Sequence, residues 1–269
     1  MIQTTCYDTH SCIRCFSCMV NCAVENRARL QRDKGVDIAI SVNQQLPHLS
    51  YLTPQQHQVG TYPNAKNITE FKHCHHCEKP KCMEMCPTGA ITKTKTGSVV
   101  INEAVCIGCR ACADGCPYDV PVFSPETGKT YKCTQCNDRV AAGMNPACVE
   151  ACVSDAMFFG NRKEVLAEAQ ARAKRYSDDT GMKYLVYGGD TINSYVGKTN
   201  WITIAPEKDR DEYGLPIDPQ KTSYMVRNLA KQGGGVLVLT ALAGAFGHFC
   251  YWLTNRKAAL EAPKEENNE

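Results

Sequence analysis

Sixteen of the 18 cysteines in this chain fall into four ordered quartets. They are Cys12, Cys15, Cys18 and Cys22; Cys74, Cys77, Cys82 and Cys86; Cys106, Cys109, Cys112 and Cys116; and Cys133, Cys136, Cys148 and Cys152. In the C-x2-C-x2-C pattern a tight loop sets three sulfurs around one inorganic cluster. A fourth cysteine, three residues on, lies on the next helical turn and points away. In two-cluster ferredoxins that fourth cysteine serves the other cluster, and a proline often follows it. Cys86-Pro87 and Cys116-Pro117 carry this proline. The two middle quartets therefore read as one complete two-cluster module, and the outer quartets must close around it to make a second. Nesting of this kind makes residues 1–160 one cooperative unit, and sixteen thiolates suffice for four 4Fe-4S clusters.

Other uses of cysteine fit less well. Paired C-x2-C knuckles also build zinc sites, so a membrane-tethered zinc scaffold is the alternative from another functional class. A third cysteine followed by x3-Cys-Pro has no use there. A disulfide framework fits less well still, because bridges between residues three apart are strained and the chain is far longer than a stapled miniprotein.

Apolar residues are sparse between Cys74 and Cys116, so folding there depends on inserting the clusters, as metal binding supplies folding free energy in other small metal domains. The formal charge of +2 counts each cysteine as neutral. An oxidised cluster with four thiolates carries about −2, so the loaded protein is acidic. No basic stripe with interleaved aromatics is present, and nucleic acid is not an expected partner.

Residues Met1 to Cys15 contain no basic and apolar signal pattern. Near the other end, no charged residue occurs from Gln232 to Asn255, and Gly234 to Leu253 reads GGVLVLTALAGAFGHFCYWL. At helical rise that run spans about 30 Å, the thickness of a bilayer core. Tyr251 and Trp252 stand at its end with Arg256 and Lys257 beyond, as interfacial residues do. Gly244, Ala245 and Gly247 suit close helix contact in lipid. One transmembrane helix over residues 232–255 is expected, followed by a charged tail at 256–269. Arg227 and Lys231 before the helix balance the charges after it, so charge alone does not orient it.

Between these ends, a long cysteine-free insertion runs from Cys22 to Phe71, with Val36 to Val42 its best strand candidate. Gly97 to Asn102 and Val120 to Phe123 read as short strands entering and leaving the Cys106 loop. Residues 161–231 form a support or docking extension. There Asn161 caps a helix to Tyr176 whose apolar face is Val165, Leu166, Ala169 and Ala173, with Gly181 beyond its end. Strand-like runs Met182 to Tyr187 and Trp201 to Ala205 follow, then a Pro- and Asp-rich stretch from Pro206 to Pro219. The expected fold class is α+β: two nested ferredoxin-like modules, a small helix and strand extension, and the membrane helix.

Several segments carry detail beyond spacing: Cys22-Ala23-Val24-Glu25-Asn26, His76-Cys77-Glu78, Cys106-Ile107-Gly108-Cys109-Arg110 and Asp138-Arg139-Val140. With these, the chain over Cys12 to Cys152 resembles the iron-sulfur electron-transfer subunits of the molybdopterin oxidoreductase, or dimethyl sulfoxide reductase, superfamily. The single C-terminal helix with His248, followed by Asn255-Arg256, is most similar to the respiratory formate dehydrogenase beta subunits. One departure is Cys152-Val153, where the family usually has Cys-Pro.

The resemblance implies four sites. Cys12, Cys15 and Cys18 take Cys152; Cys133, Cys136 and Cys148 take Cys22; Cys74, Cys77 and Cys82 take Cys116; and Cys106, Cys109 and Cys112 take Cys86. It also implies an order, with the Cys12 cluster nearest a molybdenum or tungsten pterin catalytic subunit. The Cys106 cluster is then nearest a membrane subunit carrying haem b or a quinone site. The body is expected in the periplasm with a cytoplasmic C-terminus, co-exported with a signal-bearing partner. The same wire attached to a hydrogenase or a sulfur- or nitrogen-oxide reductase is the alternative.

The sequence shows no substrate-binding or catalytic motif of its own, since the chemistry belongs to the cofactors. His73, His75 and His76 either donate to cluster sulfurs or satisfy loop backbone groups. Arg110 and Lys132 read equally as charges that raise cluster potentials and as solvated surface residues. Cys6 and Cys250 fit no quartet and read as ordinary thiols. His248 reads as an interfacial hydrogen-bond donor or as a residue facing a partner's haem or quinone.

Overall fold

The computed structural model describes residues 1–26, 50–63, 65–125 and 127–261, with backbone alone over 231–241 and 254–261. Two compact units result, Met1–Lys221 and Thr222–Glu269. The strand candidate Val36 to Val42 lies outside the described residues.

The first unit is built on a four-stranded sheet whose strands come from both ends of its sequence. Strand β1 (Gln3–Asp8) lies between β8 (Met157–Asn161), which it pairs antiparallel, and β10 (Trp201–Pro206), which it pairs parallel. Strand β9 (Tyr184–Tyr187) completes the sheet at the outer edge of β10. Side chains alternate across a strand, and here both faces are covered. Cys6, Ile202 and Ile204 face one side with Val165, Ala169, Ala173 and Tyr176. Tyr7 and Trp201 face the other with Leu52, Phe71, Met157, Cys18, Cys22 and Cys148. Three quartet cysteines, Cys18, Cys22 and Cys148, are thus part of the core.

The helix on the first face spans Arg162–Thr180. The Asn161 side chain caps it by accepting from the Lys163 amide at 3.1 Å, and Gly181 ends it in the left-handed conformation (φ 67°) that suits glycine. Val165, Ala169, Ala173 and Tyr176 are its buried residues, so the expected apolar stripe is the one it uses. The strand expected over Gly97 to Asn102 is β5 (Val99–Ile101), paired with β4 (Ile91–Lys93). That expected over Val120 to Phe123 is β6 (Val122–Ser124), paired with β7 (Lys129–Tyr131). Each of these hairpins joins the last cysteine of one quartet to the first of the next. A third hairpin, β2 (Thr53–Val59) with β3 (Lys66–Lys72), occupies the end of the long insertion.

The remaining helices are short: α1 (Ser17–Glu25), α2 (Lys81–Met85), α3 (Ala111–Asp114), α4 (Asn137–Ala141) and α5 (Ala147–Glu150). Helices of this length are marginal in isolation, so tertiary contacts must hold them. With the capped helix as α6, the second unit is helix α7 (Thr222–Glu261, 40 residues). Among the described residues no helix is long and apolar enough to cross a membrane. The run expected to do so is described in its side chains only from Leu242 to Leu253.

Candidate metal centres

Each quartet uses the same backbone device. The residue before the second cysteine is left-handed in all four: Arg14 (φ 57°), His76 (φ 47°), Gly108 (φ 67°) and Gln135 (φ 56°). This conformation costs a residue with a Cβ roughly 1–2 kcal/mol, so something in the loop must offset it. The turn aims amides at sulfur: the His76 N–H donates to Cys74 Sγ at 3.4 Å and the Gln135 N–H to Cys133 Sγ at 3.3 Å. At Gly108 there is no alternative to glycine, since a Cβ would stand 2.1 Å from the Gly128 carbonyl oxygen.

The third cysteine of every quartet is the second residue of a short helix: Cys18 in α1, Cys82 in α2, Cys112 in α3 and Cys148 in α5. The fourth comes four residues later, within α1 for Cys22 but at or beyond the helix end for Cys86, Cys116 and Cys152. The loop after Cys152, where Val153 stands in place of proline, still turns through a left-handed residue, Asp155 (φ 51°), as the loop after Cys116 does at Asp119 (φ 51°).

These local geometries bring the sulfurs together in sets of three plus one. Cys12, Cys15 and Cys18 line a small hollow with Cys152. Cys133, Cys136 and Cys148 line another with Cys22, and Cys106, Cys109 and Cys112 a third with Cys86. The remaining set is seen in mutual electrostatics: the Cys77 thiol is pushed well up by burial and then by Cys74, Cys116 and Cys82.

Comparison with known proteins agrees with this construction. Residues 67–162 match the 4Fe-4S dicluster domain. The formate dehydrogenase-O iron-sulfur subunit of Escherichia coli is 30% identical over 269 residues, covering 97% of this chain and 85% of the relative. This protein belongs to the iron-sulfur subunits of the molybdopterin oxidoreductase family. Two other members show how far the likeness reaches. A tetrathionate reductase subunit of Salmonella typhimurium is 36% identical over 157 residues, covering 58% of this chain and 57% of that one. A subunit of the anaerobic dimethyl sulfoxide reductase of Escherichia coli is 49% identical over 87 residues, or 32% of this chain and 42% of its own length.

As a member of that family the chain is an iron-sulfur electron-transfer subunit with 4Fe-4S clusters, and its residues fit that group. Burial raises the thiols of Cys18 and Cys82 to about 12 and those of Cys112 and Cys116 to about 11. Cys133 and Cys148 are pushed well up by the same cause. A buried thiol stays protonated unless a metal takes the place of its proton, and hollows lined by four such sulfurs suit a metal cluster. A single zinc would need its ligands to converge at about 2.3 Å. Among the described residues, no group of three or more His, Cys, Asp or Glu side chains is placed to hold a single metal ion.

The side chains around the sulfurs divide along lines that local sequence did not reveal. His73 stacks on Trp201 at 3.9 Å between ring centroids and His75 on Tyr118 at 3.9 Å. Burial drops the His73 imidazole to about 3, so it is neutral. His76 Nδ1 accepts from the Val99 amide at 2.9 Å, which is the loop-satisfying role. The Arg110 guanidinium is exposed and stacks over Phe123 at 4.0 Å.

Lys132 is not a surface residue: it is 5% exposed, and its ammonium donates to Cys74 Sγ at 3.5 Å, to the Cys133 carbonyl at 3.1 Å and to the Val99 carbonyl. Asn26 is buried and gives its amide to the Cys22 carbonyl at 2.8 Å and to Cys22 Sγ at 3.6 Å. Gln135 ties its loop to β1, donating to Thr5 Oγ1 at 3.2 Å and accepting from Ser98 Oγ at 2.9 Å. The roles of Asn26 and Gln135 went unread in the sequence; the only signal was their position near a cysteine. Cys6 is buried in the α6 face of the sheet, whereas Cys250 and His248 are exposed on α7.

Proposed function

We propose that this chain carries four 4Fe-4S clusters and relays electrons from a molybdenum or tungsten pterin subunit that oxidises formate to a membrane subunit with haem b or a quinone site. The observation that carries this reading is the gathering of sixteen cysteines into four sets of three plus one. The proposed ligand sets are Cys12, Cys15, Cys18 with Cys152; Cys133, Cys136, Cys148 with Cys22; Cys74, Cys77, Cys82 with Cys116; and Cys106, Cys109, Cys112 with Cys86. The clusters supply one-electron chemistry, while the chain fixes their positions, excludes water from the inner two and directs N–H groups at their sulfurs. A formate-oxidising partner is supported by the likeness to the formate dehydrogenase-O subunit, which runs over 97% of this chain. The shorter likeness to tetrathionate and dimethyl sulfoxide reductase subunits supports the alternative that the same relay serves another reductase.

Two sets end at the surface, where Cys15 and Cys109 are exposed. This supports a linear order in which the Cys12 cluster faces the catalytic subunit and the Cys106 cluster faces the membrane subunit. Helix α7 is the proposed anchor, on the strength of its uncharged run and of the exposed Leu242, Phe246, Phe249, Trp252 and Leu253. The body is then periplasmic, exported folded on a partner's signal, because the clusters are inserted in the cytoplasm.

The test is a count and a block. The purified full-length chain should hold about sixteen iron and sixteen acid-labile sulfide, and saturation near eight would defeat the four-cluster reading. Cys12→Ser and Cys106→Ser should each abolish quinone-linked formate oxidation while artificial-dye activity of the catalytic subunit persists. Unchanged quinone reduction with either cluster absent would break the linear order. Truncation after Gln232 should keep every cluster and lose carbonate-resistant membrane association when the chain is expressed without partners. Equal extraction of both forms would remove the anchor.

A further inference from the structure

Between the Cys74 and Cys133 sets, the inner two of the proposed order, lies a buried cation, Lys132. Lys132 sits directly before Cys133, so its backbone belongs to one cluster loop, yet its ammonium reaches across to Cys74 Sγ of the other at 3.5 Å. The same ammonium donates to the Cys133 carbonyl at 3.1 Å and to the Val99 carbonyl on β5, so all three donors of the group are used. At 5% exposure it is poorly screened by water. No acidic side chain is among these three acceptors. By contrast, Lys129 and Lys93 reach only peptide carbonyls, that of Cys106 for Lys129 and those of Cys77 and Glu78 for Lys93.

We infer that Lys132 is a potential-setting residue shared by the two inner clusters, holding the reduced state of the Cys74 cluster most strongly and that of the Cys133 cluster more weakly. The inference rests on the four-cluster reading above. A cluster gains one negative charge when it takes an electron, and a fixed positive charge close by in a poorly polarisable interior favours that state. The asymmetry follows from contact: the ammonium touches a ligand sulfur of the Cys74 set and only a carbonyl of the Cys133 set. Hydrogen bonds to cluster sulfurs act in the same direction. The result is an inner pair that accepts electrons readily between two more exposed outer clusters.

The experiment is a redox titration followed by electron paramagnetic resonance on the purified complex, with signals assigned by a Cys→Ser variant in each set. Lys132→Gln removes the charge and keeps an N–H donor for the carbonyls. It should retain about sixteen iron and lower the reduced-to-oxidised ratio of the Cys74 cluster at least tenfold at fixed ambient potential, a midpoint shift of about 59 mV for one electron. The Cys133 cluster should shift less and the outer two should not move. Lys132→Arg should restore the native values. Full iron with unshifted potentials in Lys132→Gln would overturn the inference. If Lys132→Gln loses iron, Lys132→Arg decides: native potentials with full iron uphold the role of charge, and iron loss there too assigns Lys132 to scaffolding alone. Failure of the four-cluster reading would look different, because the unaltered chain would itself fall short in iron.

Discussion

The Cys12 and Cys106 sets, the outer two of the proposed order, and the Cys74 and Cys133 sets, the inner two, are built from the same loop but placed in different surroundings. In the outer sets Cys15 and Cys109 are exposed, and the apolar residues beside them, Ile13 and Ile107, are 61% and 63% exposed. Hydrogen bonding to Ser17 lowers the Cys15 thiol, which suits a sulfur that meets solvent. In the inner sets no cysteine is exposed, Leu52 and Trp201 line the hollow of the Cys133 set, and the buried Lys132 reaches Cys74 Sγ. One loop therefore serves two purposes, set by what packs on it. An exposed apolar rim at a redox centre suits docking to a partner, whereas a sealed centre passes electrons without side reactions.

The sharpest way to break this contrast is to remove one sulfur from each kind of set. Cys148→Ser should leave an uncompensated hollow in the core shared with Tyr7, Leu52 and Trp201. Its expected outcome is loss of about four iron or more together with a marked fall in thermal stability. Cys109→Ser, at the edge, should cost about four iron at most and leave the other clusters and the fold intact. Iron analysis with thermal melting distinguishes them, and equal collapse of both would mean that the outer sets are no more peripheral than the inner.

Packing offers a second comparison. Trp201→Ala removes a side chain that is 1% exposed and should destabilise the loaded protein by about 3–5 kcal/mol. Ile107→Ala, at the rim, should stay within about 0.5 kcal/mol; denaturant melts of the two variants measure the gap. A further effect, in potential as well as stability, is expected at Asn26. Asn26→Ala removes the amide that bonds the Cys22 carbonyl and sulfur. It should cost about 1–2 kcal/mol and lower the midpoint potential of the cluster that Cys22 is proposed to serve, without loss of iron. An unchanged potential would confine Asn26 to capping the end of α1.

Much of this arrangement was legible along the chain because it depends on neighbours in sequence. The spacing of each quartet, the cap and apolar stripe of α6, and the strands β5, β6, β9 and β10 all follow from short-range geometry. Strand β1 did not announce itself: Gln-Thr-Thr-Cys-Tyr-Asp reads as polar, yet Thr4, Thr5, Cys6 and Asp8 are fully buried. Their polar groups are satisfied from far away, Thr5 by Gln135 and Asp8 by the Tyr176 hydroxyl at 2.8 Å and by Arg172. The β2–β3 hairpin was hidden in the same way, having little apolar alternation of its own.

Lys132 was ambiguous for a related reason: a lysine beside a cysteine looks the same on paper whether water or the next cluster loop lies above it. Sequence by itself determined that sixteen sulfurs come in four quartets, each ending in a cysteine four residues after the third. Which hollow Cys22 and Cys152 enter was decided only when β1 took its place between β8 and β10, since that closure joins residues 1–26 to residues 133–206 and no local interaction specifies it.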